Sequence, residues 1–300
     1  MCKVTKYARF FLTLRAMKMK CIICALLSMI CLSANAQFKV YTRKARMADF
    51  PAKTTIVVLS GNELLDIALK NEISSRWRVS PFDFSDSDEL ASLQKNPSVY
   101  VLYMSVDESG IVFLNLEKGG DKKSFQSLNS RMDIIRVPFC ARDFSTGREI
   151  TYLSAMIDVI QHYMEQSLLH EGIAYTSIDN MDKTLARGRK KKIYIAREDL
   201  SEDVAGRDSL ENFGKGIMIS DAFTVDSLFS AASRDALIGF CISGSAPSAK
   251  GVNYQIIVSA DRHNLMYYKR SKYTTKGQRG FSLKALNYIR KEHKYRNDLL

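Results

Sequence analysis

The chain has 300 residues, 46% of them hydrophobic and 25% charged, with 44 Lys and Arg against 32 Asp and Glu. This composition excludes a disordered or collagen-like polymer, and the length allows one large domain or two of ordinary size. A formal charge of +12 invites an anionic partner such as nucleic acid, until the distribution of the charge is examined.

Residues 17–37 carry Lys18 and Lys20, then an apolar stretch over 21–32, then Ala34-Asn35-Ala36-Gln37. A positive start, a short apolar run and a small-residue end form a cleavable secretory signal peptide, predicting cleavage between Ala36 and Gln37 and a periplasmic or secreted protein. The run is shorter than the roughly 20 residues needed to cross a bilayer, so no transmembrane segment is expected after cleavage. Residues 1–16 read as an upstream extension, either a long basic leader start or a misplaced initiation codon. Cys21, Cys24 and Cys31 follow Lys20, Ile23 and Ile30 rather than small residues, which argues against a lipid anchor. Residues 1–36 hold six bases and no acid, so their removal leaves 38 bases against 32 acids. A mature charge of +6 suits solubility and weak anion attraction, not nucleic-acid binding. Only Cys140 and Cys241 survive cleavage, leaving one disulfide or two buried thiols as alternatives.

Beyond the leader the same order of signals occurs twice. In the first half, residues 54–60 form a β-rich run and residues 62–75 place Leu64, Leu65, Ile67, Ala68 and Ile73 at helical spacing. A short strand is predicted at 77–80, and Phe84 precedes an acid-capped helix at 87–90. The apolar run 99–105, two alternating strands at 110–118 and 133–140, and a helix containing Leu153, Ala155, Met156 and Val159 complete the set. The second half repeats these as 192–197, a helix with Val204, Ala205 and Leu210, a strand at 216–220, Phe223 with a helix begun by Asp226, the run 237–243, strands at 252–260 and 264–270, and a helix with Leu283, Ala285, Leu286 and Ile289. Val58 and Ile195 are 137 positions apart. Matching order and spacing over eight elements indicates an internal duplication.

The expected fold is therefore α/β, with a first unit at 50–172, a linker at 173–191 and a second unit at 192–300. Helical crossovers make the first three strands of each unit parallel, and the tight connection at 108–110 makes the fourth antiparallel. Each unit is a mixed five-stranded sheet of order 2-1-3-4-5 flanked by helices. Gly206 should keep the second unit's first helix short or irregular. Pro138 in the first unit's last strand suits a protected edge.

This element order, carried by runs such as 54–60 and 99–105, resembles the anticodon-binding-like architecture, which also forms the amino-terminal domain of the Tol-system periplasmic propeller protein. The leader ending Ala34-Asn35-Ala36-Gln37 and the stretch Trp77-Arg-Val-Ser-Pro-Phe-Asp-Phe84 resemble uncharacterised exported α/β proteins of Gram-negative bacteria. Neither resemblance implies particular functional residues, and fold likeness alone does not assign a function.

Catalytic signatures fail on inspection. The loop 244–251 has glycine six residues before Lys250, but Ala249 and Gly251 stand where a P-loop needs glycine and a hydroxyl residue. Ser92-Leu-Gln-Lys95 matches Ser-x-x-Lys without its Ser-Asp-Asn and Lys-Thr-Gly partners. His162 and His170 fall about 80° apart around a helix and do not converge, and no Gly-x-Ser-x-Gly occurs. No catalytic residue, cofactor or metal site is assigned.

Two surfaces stand out. Tyr267, Tyr268, Arg270 and Tyr273 make a basic, tyrosine-rich face suited to a partner protein. Arg187, Arg189, Lys190 and Lys191 read as a solvated linker or as a contact for an anion or acidic lipid headgroup. These features favour an exported binding or protein-interaction protein engaging an envelope protein or surface. The alternative is a periplasmic hydrolase with its site in the cleft between the units.

Overall fold

The structure, a computed structural model, describes residues 44–121, 131–142, 147–170, 184–206, 213–214, 216–244 and 251–296. The predicted cleavage site, residues 173–183 of the linker, Leu210 and most of the loop 244–251 lie outside the described residues.

The first half runs α1 (Lys44–Met47), β1 (Thr54–Val58), α2 (Glu63–Arg76), β2 (Phe82–Ser85), α3 (Leu90–Leu93), β3 (Val99–Val106), β4 (Ile111–Lys118), β5 (Met132–Ala141) and α4 (Arg148–Leu169). The second runs β6 (Lys192–Ala196), α5 (Glu202–Ala205), β7 (Ile217–Ser220), α6 (Ala222–Ser230), β8 (Ala236–Ser243), β9 (Gly251–Ser259), β10 (Leu265–Tyr273) and α7 (Leu283–His293). The two five-stranded sheets have orders β2-β1-β3-β4-β5 and β7-β6-β8-β9-β10. In each, the first three strands are parallel and the fourth and fifth alternate in direction. The duplication is thus structural, and among the described residues no strand crosses from one sheet to the other.

Local chemistry sets the ends. Asn62 caps α2 by accepting from the Leu65 N–H, and Ser282 caps α7 through the Ala285 N–H. Two details differ from the sequence reading, and a third agrees with it. The second strand lies at Phe82–Ser85 rather than 77–80, because Trp77 turns inward and its indole N–H donates to Ser80 Oγ, which also bonds Thr55. The cap of α6 is Asp221, which accepts from the Thr224 N–H, so Asp226 lies inside the helix. Helix α5 is a single turn that stops at Gly206.

The halves share a core. Strand alternation sends Ile238, Phe240, Tyr254, Ile256, Val258 and Tyr268 of the second sheet into one cluster with Leu102, Leu114 and Val137 of the first. Leu237, Ile257 and Tyr267 face the other way and pack with Leu286 and Ile289 of α7. Helix α4 lies at the junction, and residues 152–157 are all buried, so no side of it at that level faces water. Its Tyr152 ring stacks on Phe240 at 4.3 Å and meets Phe229 edge-on at 5.0 Å. A fully buried side chain of this size contributes about 1.5–3 kcal/mol by transfer from water. Pro138 sits at a register shift in the edge strand β5, opposite Phe113, the position where a missing backbone donor costs least. Cys140 and Cys241 are free thiols, so the disulfide left open by the sequence is not formed, and burial pushes both up to about 12. Among the described residues no helix is long and apolar enough to cross a membrane.

Candidate functional site

The tyrosine-rich face predicted on β10 is not a surface. Tyr267 is 0%, Tyr268 5% and Tyr273 6% exposed. Tyr267 lies under α7 beside Tyr288, while Tyr268 packs on Tyr254 in the shared core. Tyr273 donates to the Gly244 carbonyl, and its ring occupies the space that any side chain at position 251 would need, which explains Gly251. Only Arg270 of the four is exposed. The mistake was one of periodicity: Tyr267 and Tyr268 point to opposite faces of a sheet covered on both, so neither reaches solvent.

The basic run fared differently. Residues 184–188 form a 3-10 turn laid on the second sheet rather than a free linker. Thr184 Oγ1 donates to the Met266 carbonyl at 2.6 Å. The Gly188 carbonyl is 3.0 Å from His293 Nε2 and accepts from the Lys191 N–H, while the Arg189 carbonyl accepts from the Arg296 N–H. A Cβ at position 188 would lie 2.7 Å from Leu237 Cδ1, so glycine is what allows the turn to sit this close. Burial holds His293 below the usual histidine range despite backbone hydrogen bonds from this segment.

Pinned in this way, the turn walls a cleft of about 540 Å³ with the β9–β10 turn and the exposed His162 of α4. Arg187, Lys191 and Arg262 supply positive charge, and Leu237, Leu265 and Met266 supply apolar lining. Lys191 Nζ is 2.8 Å from Asp261. Partial burial opposes ionisation of Asp261, but the Lys191 ammonium holds it below the usual carboxylate range. Among the described residues no carboxylate lies within ion-pair distance of Arg187 or Arg262. Arg189 and Lys190 are exposed and do not line the cleft. Of the four basic residues singled out by sequence, the structure therefore brings Arg187 and Lys191 together and leaves the other two aside. Arg262 was missed; its only signal was the polar turn Asp261-Arg262-His263-Asn264 between two strands.

A second polar cluster lies between the halves. Arg148, at the start of α4, donates to Asp226 Oδ2 at 2.9 Å and Asp199 Oδ2 at 3.2 Å, and Tyr152 donates to Asp226. Asp199, 7% exposed, also accepts from the Cys241 N–H. Burial raises its carboxyl to about 6 against the opposing effects of Arg148 and that N–H. Nearby, Asp158 Oδ2 meets His263 Nδ1 at 2.7 Å and Arg76 Nη1 at 3.1 Å. These carboxylates are spent on one another's partners across the junction, which suits a latch rather than an open reaction site. In the first half, the nearly inaccessible Lys118 ammonium bonds both oxygens of Asp49. Burial opposes ionisation of Asp49, yet hydrogen bonds from Lys53, Tyr100 and Lys118 lower it to about 2.

Among the described residues no group of three or more His, Cys, Asp or Glu side chains has the arrangement of a metal site. No protein-family model, curated protein or solved structure matches the chain.

Proposed function

We propose that the chain is an exported, periplasmic binding protein whose ligand-bearing site is the cleft walled by residues 184–191 and the β9–β10 turn. The observation that carries this reading is the pair Arg187 and Arg262, exposed at a concave site and unmatched by any described carboxylate. A guanidinium fork offers two parallel N–H groups to a carboxylate or phosphate. The cleft volume falls within the range of small-molecule sites, about 300–1,000 Å³. The leader motif supports the compartment, and the absence of catalytic sequence signatures supports binding over turnover.

The test has two arms. Intact-mass measurement on protein recovered from the periplasm is expected to begin at Gln37; finding Met1 or Met17 there overturns the cleavage, and recovery of the chain only with the cytoplasmic fraction overturns the compartment. Calorimetric titration with phosphate and carboxylate monoanions is expected to show saturable binding that weakens with salt. Binding unchanged in Arg187→Ala and Arg262→Ala refutes the assignment of the cleft.

A further inference from the structure

We infer that the ligand is a linear polyanion, an acidic polysaccharide of uronate type, held by a basic strip that begins in the cleft and continues outside it; the inference rests on the anion-binding reading above. Two basic segments far apart in the chain lie side by side. The Arg189 carbonyl accepts from the Arg296 N–H at 2.8 Å, and the Gly188 carbonyl is 3.0 Å from His293 Nε2. Lys294, the C-cap of α7, turns the chain back towards residue 189 with a left-handed φ of 47°, a conformation unfavourable to any residue with a Cβ. Arg187, Arg189, Arg262, Lys294 and Arg296 are all exposed, and among the described residues none of them has a carboxylate within ion-pair distance. Residues 184–192 contain no acid; the acids of 261–264 and 289–296 are Asp261, held by Lys191 at 2.8 Å, and Glu292. Like charges gathered without counter-charge attract anions to the whole strip, not to the cleft alone.

A single anion uses Arg187 and Arg262, and Arg189, Lys294 and Arg296 are left for further anionic groups on the same ligand. Each exposed ion pair contributes little by itself, but pairs made by one chain add, because every group after the first arrives tethered. Curvature argues against a bilayer. Arg187 and Arg262 line a concave site, which a chain can enter and a flat headgroup surface cannot, and no large apolar side chain is exposed on these segments to insert. A nucleic acid gains from rings on which its bases stack, yet the one tyrosine on these segments, Tyr295, packs beside His293 and over Gly216. The exposed His162 and Asn264 of the cleft instead offer hydrogen-bond partners for sugar hydroxyls, while the guanidinium forks match carboxylates.

The probe is a set of galacturonate monomer, trimer and hexamer, with maltohexaose as the uncharged control, titrated calorimetrically into the chain at low salt. The hexamer is expected to bind at least tenfold more tightly than the monomer and to lose affinity more steeply with salt, and maltohexaose is expected not to bind. Combining Arg189→Ala with Arg296→Ala keeps the backbone hydrogen bond between the two segments. This double variant should weaken the hexamer at least fivefold while leaving the monomer affinity and the thermal midpoint unchanged, whereas Arg187→Ala and Arg262→Ala should each weaken both ligands. Equal affinity for monomer and hexamer, or a hexamer indifferent to the double variant, overturns the strip and leaves the cleft standing. Equal weakening of the hexamer by Lys70→Ala with Lys95→Ala, exposed bases of the first half, shows diffuse attraction and refutes the strip as well. Tighter binding to phosphatidylglycerol vesicles, or to a single-stranded oligonucleotide of equal charge, than to the hexamer overturns the polysaccharide. Loss of all anion binding, phosphate included, overturns the cleft together with the strip.

Discussion

Asp199→Asn should reverse part of the protein's response to pH. In the folded chain the Asp199 carboxyl is raised from 3.8 to about 6 by burial. A group whose folded pKa lies above its unfolded value binds more protons in the native state between those two values. Stability therefore falls as pH rises from 3.8 to about 6 and stays lower above that window. At about 1.4 kcal/mol per factor of ten, the cost above pH 6 is about 3 kcal/mol. Asparagine keeps an oxygen for the Cys241 N–H but does not titrate, so it removes this term while its own defect towards Arg148 stays constant with pH. Urea unfolding of both proteins at half-unit steps from pH 4 to 7.5 gives the difference directly. His293, lowered by burial, loses stability in the opposite direction as pH falls, but it contributes equally to both proteins and cancels. The variant should gain about 3 kcal/mol relative to the wild type between pH 4 and 7. A flat difference, or one of opposite sign, would falsify the placement of a buried, disfavoured carboxylate at the junction.

Gly188→Ala brings a methyl group to within 2.7 Å of Leu237 Cδ1, the end of a side chain that must swing aside; a loss of about 1 kcal/mol is expected in thermal unfolding, and a raised midpoint would show that the turn does not lie this close to the sheet. Tyr268→Ala should cost about 3–5 kcal/mol because the ring is core, whereas Arg270→Ala should stay within about 0.5 kcal/mol; comparable midpoints for the two would restore the exposed tyrosine face. Asp49→Ala strands the buried Lys118 ammonium and should cost about 3 kcal/mol or more, while Lys118→Met, which removes the buried charge and leaves Asp49 its bonds from Lys53 and Tyr100, should cost distinctly less. Denaturant unfolding at pH 7 ranks the pair, and the reverse order would refute the role of Lys118 as a buried, partner-dependent charge.

Sheet order and strand direction were legible because they follow from period and linker length. Val99–Val106 and Ala236–Ser243 are nearly unbroken apolar runs of eight residues, as central strands buried on both faces must be. What the sequence could not show was which half covers which face. Tyr268 and Arg270 lie two apart on the same strand and share a face by alternation, yet one is core and the other is exposed. The cleft was half legible. Arg187 and Lys191 announced themselves by clustering, but Arg262 belongs to an unremarkable turn that reaches them only through the fold. Asp226 was misread as a cap because an acid near a helix start has two uses, and only the position of Arg148, 78 residues earlier, decides between them.

Helix α4 gives the duplication a direction. In the second half the corresponding helix, α7, buries a single stripe of Ala285, Leu286, Ile289 and His293, flanked by half-buried Leu283 and Tyr288, and gives its other positions to Lys, Arg, Glu and Asn. In the first half the same part of the repeat is enclosed by both copies and has no such spare positions across residues 152–157. Equivalent segments of the repeat are therefore unequally constrained by packing: substitutions on most of the circumference of α7 meet water, whereas those across residues 152–157 of α4 must be accommodated by both halves. A third repeat could be appended to this chain only by finding a helix of the α4 kind in α7's place.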